Sequence, residues 1–213
     1  DAFRVGEDGP THEPVEQEAQ IRLMEKLQNH KGQDSVRVFR PADADETTVC
    51  WAMAMENTNT PTALILSRQG IAKLPAGNNY EEARKGAYIV AGSDENPDVI
   101  LVASGSEVST LESGCEALRR DGIKVRVVSA PSEGLFRRQS AEYQEAVLPY
   151  NVKKFGMTAG LPCTLEGLVG IGPNSKVFGM KSFGFSAPYK VLDEKLGYTS
   201  ENVYNQVKEF LNR

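Results

Sequence analysis

The sequence predicts an α/β protein of two successive units: an incomplete parallel α/β remnant, then a complete α/β unit of Rossmann-like character. Three observations predict it. Apolar runs of strand length alternate with helix-length segments of four-residue periodicity, the rhythm of a parallel sheet. Residues 70–86, rich in Gly, Pro and Asn and poor in apolar side chains, interrupt that rhythm, and it restarts afterwards. Only two strand-like runs precede the break, too few for a whole sheet.

In chain order, Glu13 to Gln28 reads as a helix, because Val15, Ala19, Leu23 and Leu27 recur every four residues with Met24 beside them. Residues 29–35 are a polar turn. Val36–Phe39 alternates and is β-branched, which reads as a strand that Pro41 ends. Asp43 can cap the next helix, with Glu46 three positions on as in a capping box. That helix carries Val49, Trp51 and Met53 to about Asn57. Thr62–Leu66 is an apolar run suited to a strand buried on both faces. Beyond the break, Ala87–Ala91 and Val99–Ala103 read as strands around a turn at 94–97. Ser106–Asp121 reads as a helix with Val108, Leu111, Cys115 and Leu118 on one face, stopped by Gly122. Lys124–Ser129 is a strand and Ala141–Val147 a short helix. Lys153–Thr158 and Lys176–Met180 are further strands. Pro188–Leu196 and Ser200–Leu211 close the chain as helices, the last lined by Val203, Val207 and Phe210. Trp51, Phe178, Phe183 and Phe185 are expected in the core or at a boundary between units.

Composition excludes several classes. There are 24 Lys+Arg against 29 Asp+Glu, a net charge of −5, without the basic footprint of a nucleic-acid binder. The pairs Lys153-Lys154 and Arg137-Arg138 are too small to supply one. No apolar run approaches the roughly 20 residues of a membrane helix, and no signal peptide is expected. Cys50, Cys115 and Cys163 are odd in number and far apart. That excludes a disulfide framework and a CxxC zinc site, and suits a reducing cytoplasm. Two histidines, His12 and His30, cannot build a His-rich metal centre. The chain opens on Asp1 and runs straight into a Gly-rich loop, which reads as a piece of a longer protein.

That loop, Gly6-Glu-Asp-Gly-Pro-Thr-His12, is the most informative stretch. Two glycines and a proline force a turn. It presents Glu7, Asp8, Thr11 and His12 with no apolar partner nearby in sequence. Rigid polar loops at the edge of α/β sheets are where polar substrates bind, and a histidine there can hold or move protons near neutral pH. A plain surface loop with Asp8 and Thr11 as local caps is the alternative. Arg68 follows directly after a strand, at the end where ligands bind, and its planar fork suits phosphate or carboxylate; a surface salt bridge is the other reading. In Ser104-Gly-Ser-Glu-Val108, Ser106 is expected to cap the following helix rather than to help hold an anion. Gly170-Ile-Gly-Pro-Asn-Ser-Lys176 lacks the Walker spacing and reads as a turn before a strand.

Taken with their neighbours, these motifs resemble transketolase, a thiamine-diphosphate enzyme of sugar-phosphate metabolism. The run GEDGPTHEP at 6–14 is similar to that family's substrate loop. Phe39-Arg-Pro-Ala-Asp-Ala-Asp-Glu46 and Leu66-Ser-Arg-Gln69 resemble its strand ends. Lys85-Gly-Ala-Tyr88, Ser104-Gly-Ser-Glu-Val108, Arg126-Val-Val-Ser129 and Ser182-Phe-Gly-Phe-Ser-Ala-Pro188 continue the likeness in the same order over essentially the whole chain.

The resemblance implies a division into 1–72, the end of a pyrimidine-binding domain; 73–86, a linker; and 87–213, a transketolase C-terminal domain. It implies that Asp8 contacts the sugar hydroxyl next to the reacting carbon. His12 would hydrogen-bond the sugar's carbonyl or hydroxyl in a catalytic role, and Arg68 would grip the substrate phosphate. It implies transfer of a two-carbon ketol unit from a ketose phosphate to an aldose phosphate, in the pentose phosphate pathway, by a cytoplasmic homodimer. Thiamine diphosphate and Mg²⁺ or Ca²⁺ would serve the full-length enzyme. None is expected to bind this chain alone, because the family's activating glutamate, a phosphate-holding histidine and the diphosphate-binding domain would lie before Asp1. The fragment alone is therefore expected to be inactive. The stretch Lys26–Ser35 is longer than usual for the family, and 153–170 follows its pattern poorly. Two other readings stand beside this one: a related thiamine enzyme, of the deoxyxylulose-phosphate synthase or 2-oxoacid dehydrogenase type, and a free-standing non-catalytic interaction module. The Pro-Thr-His run and Ser-Arg-Gln favour transketolase.

Overall fold

Two short parallel strands open the fold. In the computed structural model, which describes residues 4, 6–13, 15–75, 77–92 and 96–212, β1 (Arg37–Phe39) runs parallel to β2 (Thr62–Leu64), with Val38 opposite Ala63. Helix α2 (Ala44–Glu56) connects them. Its start is built as the sequence predicts: Asp43 Oδ1 accepts from the Glu46 amide at 2.9 Å, and Glu46 Oε2 accepts from the Ala42 amide at 2.7 Å. Strand β2 departs from expectation. All three of its residues are only half-buried, because β1 is its one neighbour among the described residues. Trp51, Met55 and Leu66 lie exposed beside it, so Trp51 is a surface residue and not core.

Helix α1 (Gln17–Met24) is shorter than the expected 13–28 and faces the other way. Leu23 and Leu27 are each 60% exposed, and Met24 is exposed with them. The buried face carries Arg22, whose Nε pairs with Glu18 at 2.9 Å and whose Nη2 reaches Ser104 Oγ at 3.4 Å. The face turned to the second unit is this polar one, reaching Ser104, and not the leucine stripe.

The second sheet has five strands in the order β3-β5-β4-β6-β7. They are β3 (Tyr88–Gly92), β4 (Val99–Ala103), β5 (Val125–Ser129), β6 (Lys153–Met157) and β7 (Ser175–Phe178). Only β3 is antiparallel. Every residue of β4 and β5 is buried, as expected of central strands covered on both faces. Val99, Leu101 and Ala103 join one cluster with Val108, Leu111 and Leu118 of α3 (Glu107–Arg120) and Val203 and Val207 of α8 (Ser200–Leu211). Ile100 and Val102 join the other, with Phe136 of α4 (Glu133–Phe136), Val147 of α5 (Ala141–Val147) and Leu165 of α6 (Cys163–Val169). Helices α4 and α6 were not expected from periodicity; at 4 and 7 residues they are too short to show it. Helix α7 (Tyr189–Leu196) precedes α8. Phe178 packs edge-on against Tyr198 at 5.3 Å, whereas Phe183 and Phe185 are exposed. The turn expected at 94–97 lies partly outside the described residues.

The segment between the sheets is packed. Gly77–Lys85 forms a 3₁₀ helix, Leu74 and Ala83 are buried, and the Leu74 amide donates to Asp43 Oδ2 at 2.9 Å. Phe39, Val49, Cys50 and Met53 of the first unit belong to the same apolar cluster as α3 and α8. A polar link runs alongside: the Tyr88 hydroxyl donates to Glu46 Oε1 at 2.9 Å. Burial raises the Glu46 pKa to about 7 despite hydrogen bonds from Ala42 and Tyr88.

Candidate functional site

The polar loop 6–12 turns at Gly6 and Gly9, whose φ values of +100° and +76° fall in the region that favours glycine. The His12 amide donates to the Gly9 carbonyl at 3.1 Å and closes the turn. The His12 ring is held at Nδ1 by Thr11 Oγ1 at 2.8 Å, and both side chains are exposed. Arg68 arrives from the carboxyl end of β2. Its Nη1 lies 2.6 Å from Asp8 Oδ2, with the two side chains 61% and 43% exposed. The fold thus brings Asp8 and Arg68 together across 60 positions of sequence. An ion pair this exposed is weak, so an incoming anion can compete for the arginine fork.

Beside the loop lies a cleft of about 490 Å³, lined by His12 and Thr11, the start of α1, Leu64–Leu66, Arg40 and Gly160. A larger cavity of about 650 Å³ lies elsewhere, around Lys154 and the 170–175 turn, and contains none of the loop residues.

Residues 1–73 match the model of the transketolase pyrimidine-binding domain, and 86–199 match that of the transketolase-like C-terminal domain. The chain belongs to the transketolase family. It is 43% identical over 210 residues to the transketolase of Staphylococcus aureus strain MW2, covering 97% of this chain and 30% of that protein. It superposes on the transketolase from Leishmania mexicana with a TM-score of 0.87 at 39% identity, over 100% of this chain and 29% of that one. A split-gene transketolase, described as an inactive β4 tetramer, shares the fold at a TM-score of 0.71 and 23% identity, over 96% of this chain and 64% of that one. The chain therefore spans about a third of the length of the curated transketolases it matches.

Several residues in the transketolase-like motifs do work that sequence reasoning missed. Arg40, directly after β1 and 2% exposed, carries a buried charge network that floors the cleft. Its Nη1 donates to Glu107 Oε2 and to the Ser104 carbonyl, each at 2.5 Å; its Nε lies 3.6 Å from Glu18. Arg4 extends the network to Asp193 at 2.8 Å, Thr110 at 3.1 Å and Glu107 at 3.4 Å. Gln69 Nε2 holds the Arg4 carbonyl at 3.1 Å. Paired with arginines, the Glu107 and Glu18 carboxyls are held below the usual range despite burial, and the Arg40 pKa is raised.

Ser104-Gly-Ser-Glu-Val108 is thus the seat for Arg40. Gly105 suits that seat: its φ of +63° favours glycine, and a Cβ there would lie 2.6 Å from the Arg40 guanidinium carbon and push it from its partners. Ser106 corrects the expected helix cap. Its hydroxyl makes no capping bond and donates instead to Glu107 Oε1 at 2.8 Å. No sequence-local signal separates such an arginine from a surface one, because its partner is 67 positions away.

Glu13, the next residue after the loop's histidine, was also missed. It is fully buried, and desolvation raises its pKa.

Proposed function

We propose that this chain is the substrate-binding portion of a transketolase that moves a two-carbon ketol unit from a ketose phosphate to an aldose phosphate. The pentose phosphate pathway, a cytoplasmic homodimer and the division 1–72, 73–86 and 87–213 belong to the same reading. Family membership supports it, and the observation that carries it is the 2.6 Å approach of Arg68 to Asp8; the cleft is lined by Thr11 and His12 of the same loop and by Leu64–Leu66 before Arg68, though not by Asp8 or Arg68 themselves. A phosphorylated polyol needs that combination: a cation for one end and polar acceptors and donors along its hydroxyls.

In this reading, Arg68 leaves its weak pairing with Asp8 and takes the phosphate in a bidentate grip. Asp8, released, accepts from the hydroxyl next to the reacting carbon. His12, its ring oriented by Thr11, donates to the sugar's carbonyl oxygen, or takes a proton from its hydroxyl. Thiamine diphosphate, when bound in the full-length protein, supplies the carbon nucleophile. Among the described residues no three His, Cys, Asp or Glu side chains gather as a divalent ion requires. We assign the cofactor and its Mg²⁺ or Ca²⁺ to the remainder of the full-length protein.

The test is Arg68→Ala in the full-length protein. Charge-assisted hydrogen bonds contribute about 1.5–3 kcal/mol, so the Michaelis constant for phosphorylated sugars should rise roughly 10- to 100-fold. Unphosphorylated acceptors should be nearly unaffected. Equal losses on both would show that Arg68 does not read phosphate.

A further inference from the structure

We propose that the C-terminal unit holds the loop 6–12 in its working shape, with Glu13 as the positioning residue that joins them. The functional part of this inference rests on the loop being the substrate loop.

The loop has little means of ordering itself. Glu7, Asp8, Pro10, Thr11 and His12 are exposed, and no apolar side chain in it anchors to the core. Beyond the exposed Asp8–Arg68 pair and the bond from His12 to Gly9 that closes the turn, its supports come from the C-terminal unit. Ser186 Oγ donates to the Glu7 carbonyl at 2.6 Å. The Gly184 amide donates to the Glu13 carbonyl at 3.3 Å, and the Leu161 amide to the Val15 carbonyl at 3.0 Å. These three contacts bracket Asp8 and His12 in sequence.

Between them sits the Glu13 carboxyl, 0% exposed. Neither oxygen closes a hydrogen bond, and desolvation raises the pKa of the group. The side chain packs against Gly184 of the other unit, while the turn glycines Gly6 and Gly9 face Ala187 and Ser186 of the same segment. The fit is close: a Cβ on Gly184 would lie 2.0 Å from Glu13 Oε2 and 2.6 Å from Glu13 Cβ. A buried acid with unclosed hydrogen bonds is costly for a fold to keep. Its position against Gly184, where the end of the loop meets the C-terminal unit, is the physical reason to keep it.

Glu13→Ala removes the joint, and Gly184→Ala wedges it open from the opposite unit. Ser186→Ala is milder and deletes one hydroxyl. Glu13→Gln keeps the shape and one acceptor oxygen. In the full-length protein, we expect Glu13→Ala and Gly184→Ala each to speed hydrogen exchange in the peptide covering Gly6–His12 by about tenfold or more. Exchange in Val99–Ala103 should not change. Both variants should raise the KM for ketose phosphate by about tenfold with a smaller change in kcat. Ser186→Ala should give roughly a threefold effect, and Glu13→Gln should stay within about threefold of the parent. Loop exchange that ignores Glu13→Ala or Gly184→Ala would overturn the joint. If Glu13→Ala does not fold, Gly184→Ala and Ser186→Ala decide the same point. A loosened loop with unchanged KM would overturn the positioning role. Absence of ketol transfer in the parent protein would instead overturn the functional reading, and the exchange measurements would still decide the joint.

Discussion

Glu46 makes the fold of this chain dependent on pH. Its carboxyl lies fully buried at the start of α2, taking hydrogen bonds from the Ala42 amide and the Tyr88 hydroxyl, with no cation among its contacts that lower the pKa. Burial lifts the pKa from 4.5 to about 7. Below pH 4.5 the group is protonated whether the chain is folded or unfolded, so it imposes no penalty. Between 4.5 and 7 the unfolded chain loses the proton and the folded chain keeps it. Stability therefore falls with rising pH at up to about 1.4 kcal/mol per unit, and levels off above 7. By pH 8 the accumulated cost is about 3 kcal/mol, a large part of an ordinary domain's stability. Glu46→Gln removes the charge and keeps an acceptor for the Ala42 amide and a polar partner for Tyr88. Urea unfolding followed by circular dichroism should find this variant more stable than the parent by about 2–3 kcal/mol at pH 8, and nearly equal to it at pH 5. Other raised carboxyls, such as Glu25, contribute to both proteins, so the difference between the two curves isolates Glu46. A gain of the same size at both pH values, or a loss at pH 8, would refute the reasoning.

Three further outcomes follow from the same geometry. Arg40→Met leaves the buried Glu107 with the longer contact to Arg4 as its remaining ion pair and the Ser106 hydroxyl as a neutral donor and should cost about 3–5 kcal/mol, part of which Arg40→Met with Glu107→Leu should recover; a single-variant cost below about 1 kcal/mol would contradict the network. Hydrogen exchange should be faster in Val36–Phe39 and Thr62–Leu66 than in Val99–Ala103, since β2 has an open edge, and equal protection would count against it. Titration of this chain with thiamine diphosphate and Mg²⁺ should show no saturable binding at micromolar concentration; such binding would place a cofactor pocket within these residues.

Sequence alone made the second unit legible, because central strands are unbroken apolar runs and the long helices α3 and α8 carry clear periodic faces. It misread α1. Period four locates a stripe but does not say which side of the helix meets the protein, and here the paired Arg22 and Glu18 face Ser104 of the second unit while Leu23 and Leu27 stay outside. The capping box at Asp43 was readable because all its partners are within a few residues. Arg40 with Glu107, Glu13 with Gly184, and Asp8 with Arg68 were not, because each pairing exists only after folding. Resemblance supplied roles for Asp8, His12 and Arg68 that spacing could not, and it said nothing of Glu13 or Arg40, whose contribution lies between the units.

The charge network through Arg40 also bears on where such a protein can be divided between genes. Arg4, Arg22 and Glu18 lie on one side of it and Ser104, Glu107 and Asp193 on the other, next to an apolar cluster that both units share. Two polypeptides separated at the 73–86 connector would each emerge from synthesis with half of an ion network exposed and a core laid open, and would need to meet before either was stable. The connector is therefore a poor place to divide such a protein, because its two sides share one ion network and one apolar cluster.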